Sequence, residues 1–279
     1  SLLARLTDHL LEAGVHGFSP LGSSGEAPAV DAPTAWNVIR TVTSRTGGRV
    51  PVVPGVLGTT TVDAVRRCRD AQEAGAAGIV AVVRPWGKTT QAAIVRHITE
   101  MEWATDLPMV LYRQPSLGVQ TDLDSIVALS KLDKVVAVKD ASTDTGMLLS
   151  IQCSEARNLA LYAASAHVAL FVWQMGGIGW MSGPACVAPD TSVRMYDAYT
   201  AGDMETAWAL QRGIWPLCRA FATYGPARVV KAALAMRGWD VGAPIAPMPA
   251  LSANEHAVVQ RALMALAAAR SEAGLGADI

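Results

Sequence analysis

A lysine that ends a run of apolar, mostly β-branched residues is the first candidate for chemistry in this chain. Lys139 closes the segment Lys134-Val-Val-Ala-Val-Lys139-Asp-Ala-Ser. Val135, Val136, Ala137 and Val138 read as a strand buried on both faces. A lysine at the carboxyl end of such a strand points into whatever site lies above the sheet. Desolvation there disfavours the ammonium, lowers the pKa and frees an amine that can attack a carbonyl carbon and form an imine. The plainer reading is a strand ending at the surface with a solvated lysine. For the lysine taken alone the plainer reading prevails, because surface lysines far outnumber buried ones.

Three further segments shift that balance. Gly22-Ser23-Ser24-Gly25-Glu26 follows the apolar run Val15 to Leu21, and Val110-Leu111-Tyr112-Arg113-Gln114-Pro115-Ser116 ends another short apolar run. Gly176-Gly177-Ile178-Gly179-Trp180-Met181-Ser182 comes later. In this order the segments resemble the dihydrodipicolinate synthase / N-acetylneuraminate lyase family of class I aldolases. The resemblance runs from Gly14-Val15-His16-Gly17 to the helical C-terminal part.

The resemblance implies a role for each motif. Lys139 would form the imine with a 2-oxo acid. Tyr112 would pass a proton to the carbinolamine and take it back as a positioned acid/base; its alternative is a tyrosine whose hydroxyl completes a buried hydrogen bond. Ser24 with its amide would bind the carboxylate of a pyruvate-like substrate, and Ser23 would sit in a proton relay. The family usually has threonines at these two places, and serine keeps the hydroxyl. Gly25 and its neighbours would let the backbone approach the ligand near a helix start, although the same residues also make an ordinary Gly-Ser turn. Gly179 would allow a tight strand end, Met181 would offer a backbone carbonyl, and Ser182 would flank it.

Departures from the family pattern bear on the substrate. Dihydrodipicolinate synthases carry an arginine for the second substrate's carboxylate where this chain has Leu117. They also send a second tyrosine across a dimer interface, where this chain has Arg84-Pro85-Trp86-Gly87. The asparagine after the family's tyrosine is Arg113 here. True dihydrodipicolinate synthase activity is therefore not expected. Trp86, Trp173 and Trp180 are candidates for lining a flat apolar acceptor pocket, against the plain alternative of core tryptophans. Arg84 and Arg113 could orient a distal acid or form structural ion pairs. His16 and His167 have no ligand partners at metal spacing, and neither a metal nor any other cofactor is expected.

These side chains need a scaffold. Strand candidates at 16–21, 51–56, 78–83, 108–112, 134–139, 159–163 and 177–181 alternate with helical patterns at 1–13, 34–45, 61–74, 91–105, 123–131 and 166–175. Gly14, Gly47 and Gly75 punctuate helix ends. Repeated β/α alternation argues for a parallel sheet, and 279 residues suit an α/β (β/α)8 TIM barrel with an extension. Only seven strands are visible and the chain opens inside a helix, so the first strand is expected to lie upstream of Ser1. From Thr191 the pattern is helical: 192–201, 204–222, 226–237 and 253–269. The chain is accordingly read as residues 1–190 forming the barrel and 191–279 forming helices packed on it, as one structural unit. In the resembling family such helices help build a tetramer, so a homo-oligomer, dimer or tetramer, is expected.

Composition limits the partners. Net charge is -1, 51% of residues are hydrophobic and 17% are charged. No Lys/Arg run offers a nucleic-acid footprint, and no apolar stretch is long enough for a bilayer. Cys68, Cys153, Cys186 and Cys218 are widely spaced, without metal or disulfide-framework spacing, and read as reduced thiols of a cytoplasmic protein. Two functions remain open. One is a Schiff-base lyase, aldolase or dehydratase acting on pyruvate or another 2-oxo acid, with an aldehyde as a possible second substrate. The other is a paralogue that has lost turnover and serves as a 2-oxo-acid binding or regulatory protein.

Overall fold

The structure, a computed structural model, describes residues 1–114, 120–164 and 168–276. Six strands form one parallel sheet in sequence order: β1 (Gly55–Gly58), β2 (Ile79–Val83), β3 (Met109–Arg113), β4 (Val135–Asp140), β5 (Ala160–Ala164) and β6 (Gly179–Met181). A seventh extended stretch runs beside β1. Phe18 N–H donates to Pro51 O (2.9 Å), Val53 N–H to Phe18 O (2.7 Å) and Gly55 N–H to Pro20 O (2.8 Å). That spacing is a parallel ladder, so seven of the eight strand positions of a (β/α)8 barrel are filled among the described residues.

Strictly sequential parallel pairing requires a helix between successive strands, returning the chain over the sheet. Those helices are α1 (Leu2–Glu12), α2 (Ala32–Thr46), α3 (Thr61–Glu73), α4 (Gln91–Trp103), α5 (Leu123–Leu129), α6 (Thr145–Gln152) and α7 (Ala169–Gln174). Most starts are written in the sequence. Asp31, Thr60, Thr90, Asp122 and Asp144 each accept the amide of the residue three positions on, the standard N-cap that satisfies an orphan donor.

Alternation along the strands sorts the side chains into two layers. Val80, Val82, Val110 and Ala137 fill the barrel interior, with Tyr112, Tyr162 and Met181 above them. Ile79, Ala81, Leu111, Val138, Leu161 and Ala163 face outward into the helix layer. One sequence expectation fails here. Val136 is 44% exposed rather than buried. Between β3 and β4 the register steps from Met109↔Val135 to Val110↔Ala137, so Val136 is skipped as a bulge.

Residues beyond the barrel helices form α8 (Pro189–Thr200), α9 (Met204–Tyr224), α10 (Pro226–Met236) and α11 (Ala253–Glu272). Leu217, Phe221, Val229, Val230, Leu234, Val259 and Leu263 build their own apolar core. No helix among the described residues is long and apolar enough to cross a membrane.

One glycine fixes where the site's first loop begins. A Cβ on Gly55 would lie 2.3 Å from the Leu21 carbonyl oxygen, and Leu21 itself holds a left-handed φ of 60°. Backbone cannot yield there as a side-chain tip could. Gly55→Ala is therefore expected to destabilise the fold by roughly 1–3 kcal/mol, read as a lower urea midpoint. An unchanged midpoint would mean that the loop is not fixed by this contact.

Candidate active site

Tyr112 and Lys139 are register partners on neighbouring strands, and both point into the barrel at its carboxyl end. The Lys139 Nζ sits over the Tyr112 ring, 4.5 Å from its centroid. Burial lowers the Lys139 ammonium to about 8, and no charged neighbour contributes to that shift. Burial also pushes the Tyr112 phenol up to about 12; a hydrogen bond with the Ser23 side chain opposes this, and the Asp140 charge adds to it. The pair thus combines a lysine close to neutrality with a tyrosine that keeps its proton.

The loop Gly22–Glu26 closes over this pair. Gly25 N–H donates to Gly22 O (3.1 Å), Glu26 N–H to Ser23 O (3.4 Å) and Ala27 N–H to Gly22 O (3.3 Å). The loop's own bonds thus use the amides of 25, 26 and 27, and among the described residues those of Ser23 and Ser24 are not used within it. Two adjacent amides and two hydroxyls on a cavity-lining loop are a donor set suited to a carboxylate. Ser23 Oγ donates to Gln114 Oε1 over a long 3.5 Å. Ser24 is accommodated by a glycine: a Cβ on Gly183 would come within 2.7 Å of Ser24 Oγ and 2.8 Å of the Phe221 ring. The helical extension therefore supplies part of the wall.

Of the candidates drawn from the sequence, Ser23, Ser24, Gly25, Tyr112, Lys139, Gly179 and Met181 line one cavity of about 1420 Å³. Arg84, Arg113 and Trp86 do not, which corrects Trp86 and Arg113 as substrate-binding residues and leaves, for Arg113, the ion pair of its two alternatives. Arg113 follows Tyr112, so alternation turns its guanidinium out of the barrel; it is 4% exposed and ion-paired to Asp140 at 2.9 Å. Trp86 is 90% exposed on the loop after β2 and takes no part in the cavity wall. The other two tryptophans reach the wall but are held by packing. Trp173 is 2% exposed against Tyr196 and Tyr199, and Trp180 Nε1 donates to Ala164 O (3.0 Å). His16 stands edge-on to Tyr196 at 5.5 Å. Leu117 and His167 lie outside the described residues.

The structure adds residues that the sequence reading missed. Tyr162 is the register partner of Lys139 on β5 and lines the same cavity. A Cβ on Gly179 would stand 2.8 Å from the Tyr162 ring, so this glycine makes room for the aromatic edge. Gln114, Ser142 and Thr143 add neutral polar groups from the loops after β3 and β4. The inward alternation that places Tyr112 and Lys139, applied to the strand expected at 159–163, would have found Tyr162. Nothing local marks Ser142.

Residues 1–266 match the dihydrodipicolinate synthetase family. The chain belongs to that family, whose members include lyases. It is 34% identical over 254 residues to an uncharacterized DapA-like lyase of Halobacterium salinarum, covering 90% of this chain and 83% of that protein. It is 30% identical over 265 residues to a 4-hydroxy-tetrahydrodipicolinate synthase of Caldicellulosiruptor bescii, covering 94% and 89%. Among solved structures, dihydrodipicolinate synthase DapA-2 of Bacillus anthracis superposes with a TM-score of 0.88 at 27% identity, over 94% of this chain and 90% of the other. The 4-hydroxy-tetrahydrodipicolinate synthase of Methylacidiphilum fumariolicum superposes with a TM-score of 0.93 at 22% identity, over 98% and 92%, a likeness of fold.

Proposed function

We propose that this protein is a Schiff-base-forming lyase, an aldolase or dehydratase of class I type, acting on pyruvate or another 2-oxo acid. One observation carries the reading: a half-buried lysine, with no ion-pair partner among the described residues, lies against the ring of a tyrosine in the cavity that the Ser23–Ser24 loop lines. With its pKa near 8, roughly a tenth of Lys139 is neutral at pH 7, against fewer than one in a thousand for a solvated lysine.

The step is written as follows. Ser24 and the amides of the Ser23–Ser24 loop hold the carboxylate, which brings C2 of the 2-oxo acid to Lys139, while the Ser23 side chain is hydrogen-bonded to Tyr112 in the relay. The neutral Nζ attacks C2, and the carbonyl oxygen takes a proton from Tyr112 to give the carbinolamine. Tyr112 takes a proton back from the nitrogen and returns it to the hydroxyl, which leaves as water, and the phenolate left behind is re-protonated from bulk water. The resulting iminium withdraws electrons from C3. A C3–H proton can then leave to give an enamine that adds to an aldehyde, a C3–C4 bond can break in the reverse sense, or a C3 hydroxyl can depart.

The acceptor end supports a neutral partner. Among the described residues no arginine lines the cavity, and Lys231 there is ion-paired to Glu26. A carboxylate buried without a partner costs several kcal/mol. Gln114, Ser142, Thr143 and Tyr162 line the cavity together with Trp173 and Trp180, a neutral wall. The expected outcome is that pyruvate with neutral aldehydes turns over faster than pyruvate with aspartate semialdehyde, measured as product formed under equal concentrations. Preference for the semialdehyde would contradict this substrate assignment. The absence of turnover with every 2-oxo acid, together with binding of one of them, would favour the non-catalytic paralogue; the outward Trp86 at the place of the relay tyrosine is the observation on that side. Self-association into a dimer or tetramer is expected by light scattering, and a strictly monomeric mass would refute it.

A further inference from the structure

The ion pair that turns away from the cavity has its own relation to the site. Tyr112↔Lys139 and Arg113↔Asp140 are successive rungs between β3 and β4. The first rung faces the substrate and the second faces the helices. Arg113 Nη1 donates to Asp140 Oδ2 (2.9 Å) and to Ser142 Oγ (2.6 Å), Nη2 donates to Gln120 Oε1 (2.6 Å), and Nε donates to Thr121 O (3.1 Å). Asp140 Oδ1 in turn accepts from Ser142 N (2.7 Å) and Ser142 Oγ (2.6 Å). Arg113 is 4% and Asp140 0% exposed. One planar guanidinium thus gathers the ends of two strands and the residues leading into two loops, all behind the reacting pair.

We propose that Arg113 is a positioning residue: with Asp140 it forms a charge-balanced staple that fixes Tyr112 against Lys139 and keeps the carboxylate of Asp140 from holding a proton on the Lys139 amine. A lone buried carboxylate one residue from Lys139 would favour the ammonium. Beside a guanidinium its field is largely cancelled, in agreement with burial being the one cause that moves Lys139. Asp140 still acts on Tyr112, so its charge does reach this rung. Among the described residues the groups facing Lys139 are otherwise uncharged: Tyr112 from β3, Tyr162 from β5, Ser23 from the first loop, and Ser142 and Thr143 from the loop after β4. The remaining charged or titratable lining groups among the described residues are the Glu26–Lys231 pair, His16, Tyr196, and Cys186 and Cys218, whose thiols burial raises to about 11 and about 12.

The assignment rests on the imine reading for its use in catalysis, but its test does not. Lys139 can be titrated directly by competitive labelling with trace acetic anhydride over a pH series, followed by mass quantification of the Lys139 peptide. Arg113→Gln is expected to raise the labelling midpoint by about one unit, and Asp140→Asn to lower it. Arg113→Lys keeps the charge but loses the fork, so its midpoint should stay at that of the wild type. It should also lose several-fold in the plateau rate of imine trapping with pyruvate. Equal midpoints in Arg113→Gln and wild type would overturn the staple. If Arg113→Gln does not fold, a shift of half a unit or more in Arg113→Lys, or an unmoved or upward midpoint in Asp140→Asn, overturns it instead. A wild type that labels as expected yet traps no 2-oxo acid would count against the imine reading alone.

Discussion

Lys139→Ala is expected to abolish turnover, lowering kcat/KM by about 10⁴-fold or more, since the other amine lining the cavity among the described residues, that of Lys231, is ion-paired. Lys139→Arg should be equally inactive, because arginine stays protonated and cannot form an imine. Both variants should fold. Lys139→Met should be more stable than wild type at pH 7, and the sign follows from linkage. The folded-state pKa of Lys139 lies near 8 and the unfolded value near 10.5. Between those values the unfolded chain binds the extra proton, so stability rises with pH from about 8 to 10.5, and below 8 the buried ammonium is a standing cost. Removing it should raise the melting midpoint by a few degrees, measured by calorimetry at pH 7. The wild-type imine-forming rate should climb through a midpoint near 8 as the amine loses its proton. A flat profile between pH 6 and 9, or substantial activity in Lys139→Arg, would contradict this assignment.

Tyr112→Phe carries the second large effect. The ring remains to support Lys139, so Nζ burial and the labelling midpoint should change little. Without the hydroxyl the carbinolamine loses its proton carrier, and kcat should fall by roughly 10²–10³-fold while KM for the 2-oxo acid changes far less. A drop in affinity without a drop in kcat would mean that Tyr112 binds substrate rather than moving protons. Ser23→Ala removes the hydrogen bond that opposes the rise of the Tyr112 phenol, and should show the same pattern more weakly.

Much of this site was legible because alternation and motif order act together. The strand run ending at Lys139 and the run ending at Tyr112 each place their last interior residue at the carboxyl end, and sequential parallel pairing then makes them neighbours. Helix starts were equally readable: Thr61, Gln91, Leu123 and Met204 begin helices after an Asp or Thr cap, Ala253 after a Ser cap, and Pro226 as a first-turn proline. What escaped is tertiary. Arg113 could be read from the sequence as orienting an acid or as half of a structural ion pair; a single step along a strand turns it outward, and only the distant Asp140 and Ser142 decide for the ion pair. Val136 looked buried because nothing local announces a bulge. Trp86 has ample apolar area but sits on a loop tip, where adjacency in sequence to a strand end does not aim a ring inward. Helix α6 is eight residues long, with Met147, Leu148 and Leu149 in a row, too short for a period to show.

Borohydride trapping of the unmodified protein with pyruvate, followed by intact mass and peptide mapping, tests the central claim most directly. The account predicts one reduced pyruvate adduct per chain, located on Lys139 and lost in Lys139→Ala. No adduct with pyruvate or any other 2-oxo acid, or an adduct that persists unchanged in Lys139→Ala, would contradict it.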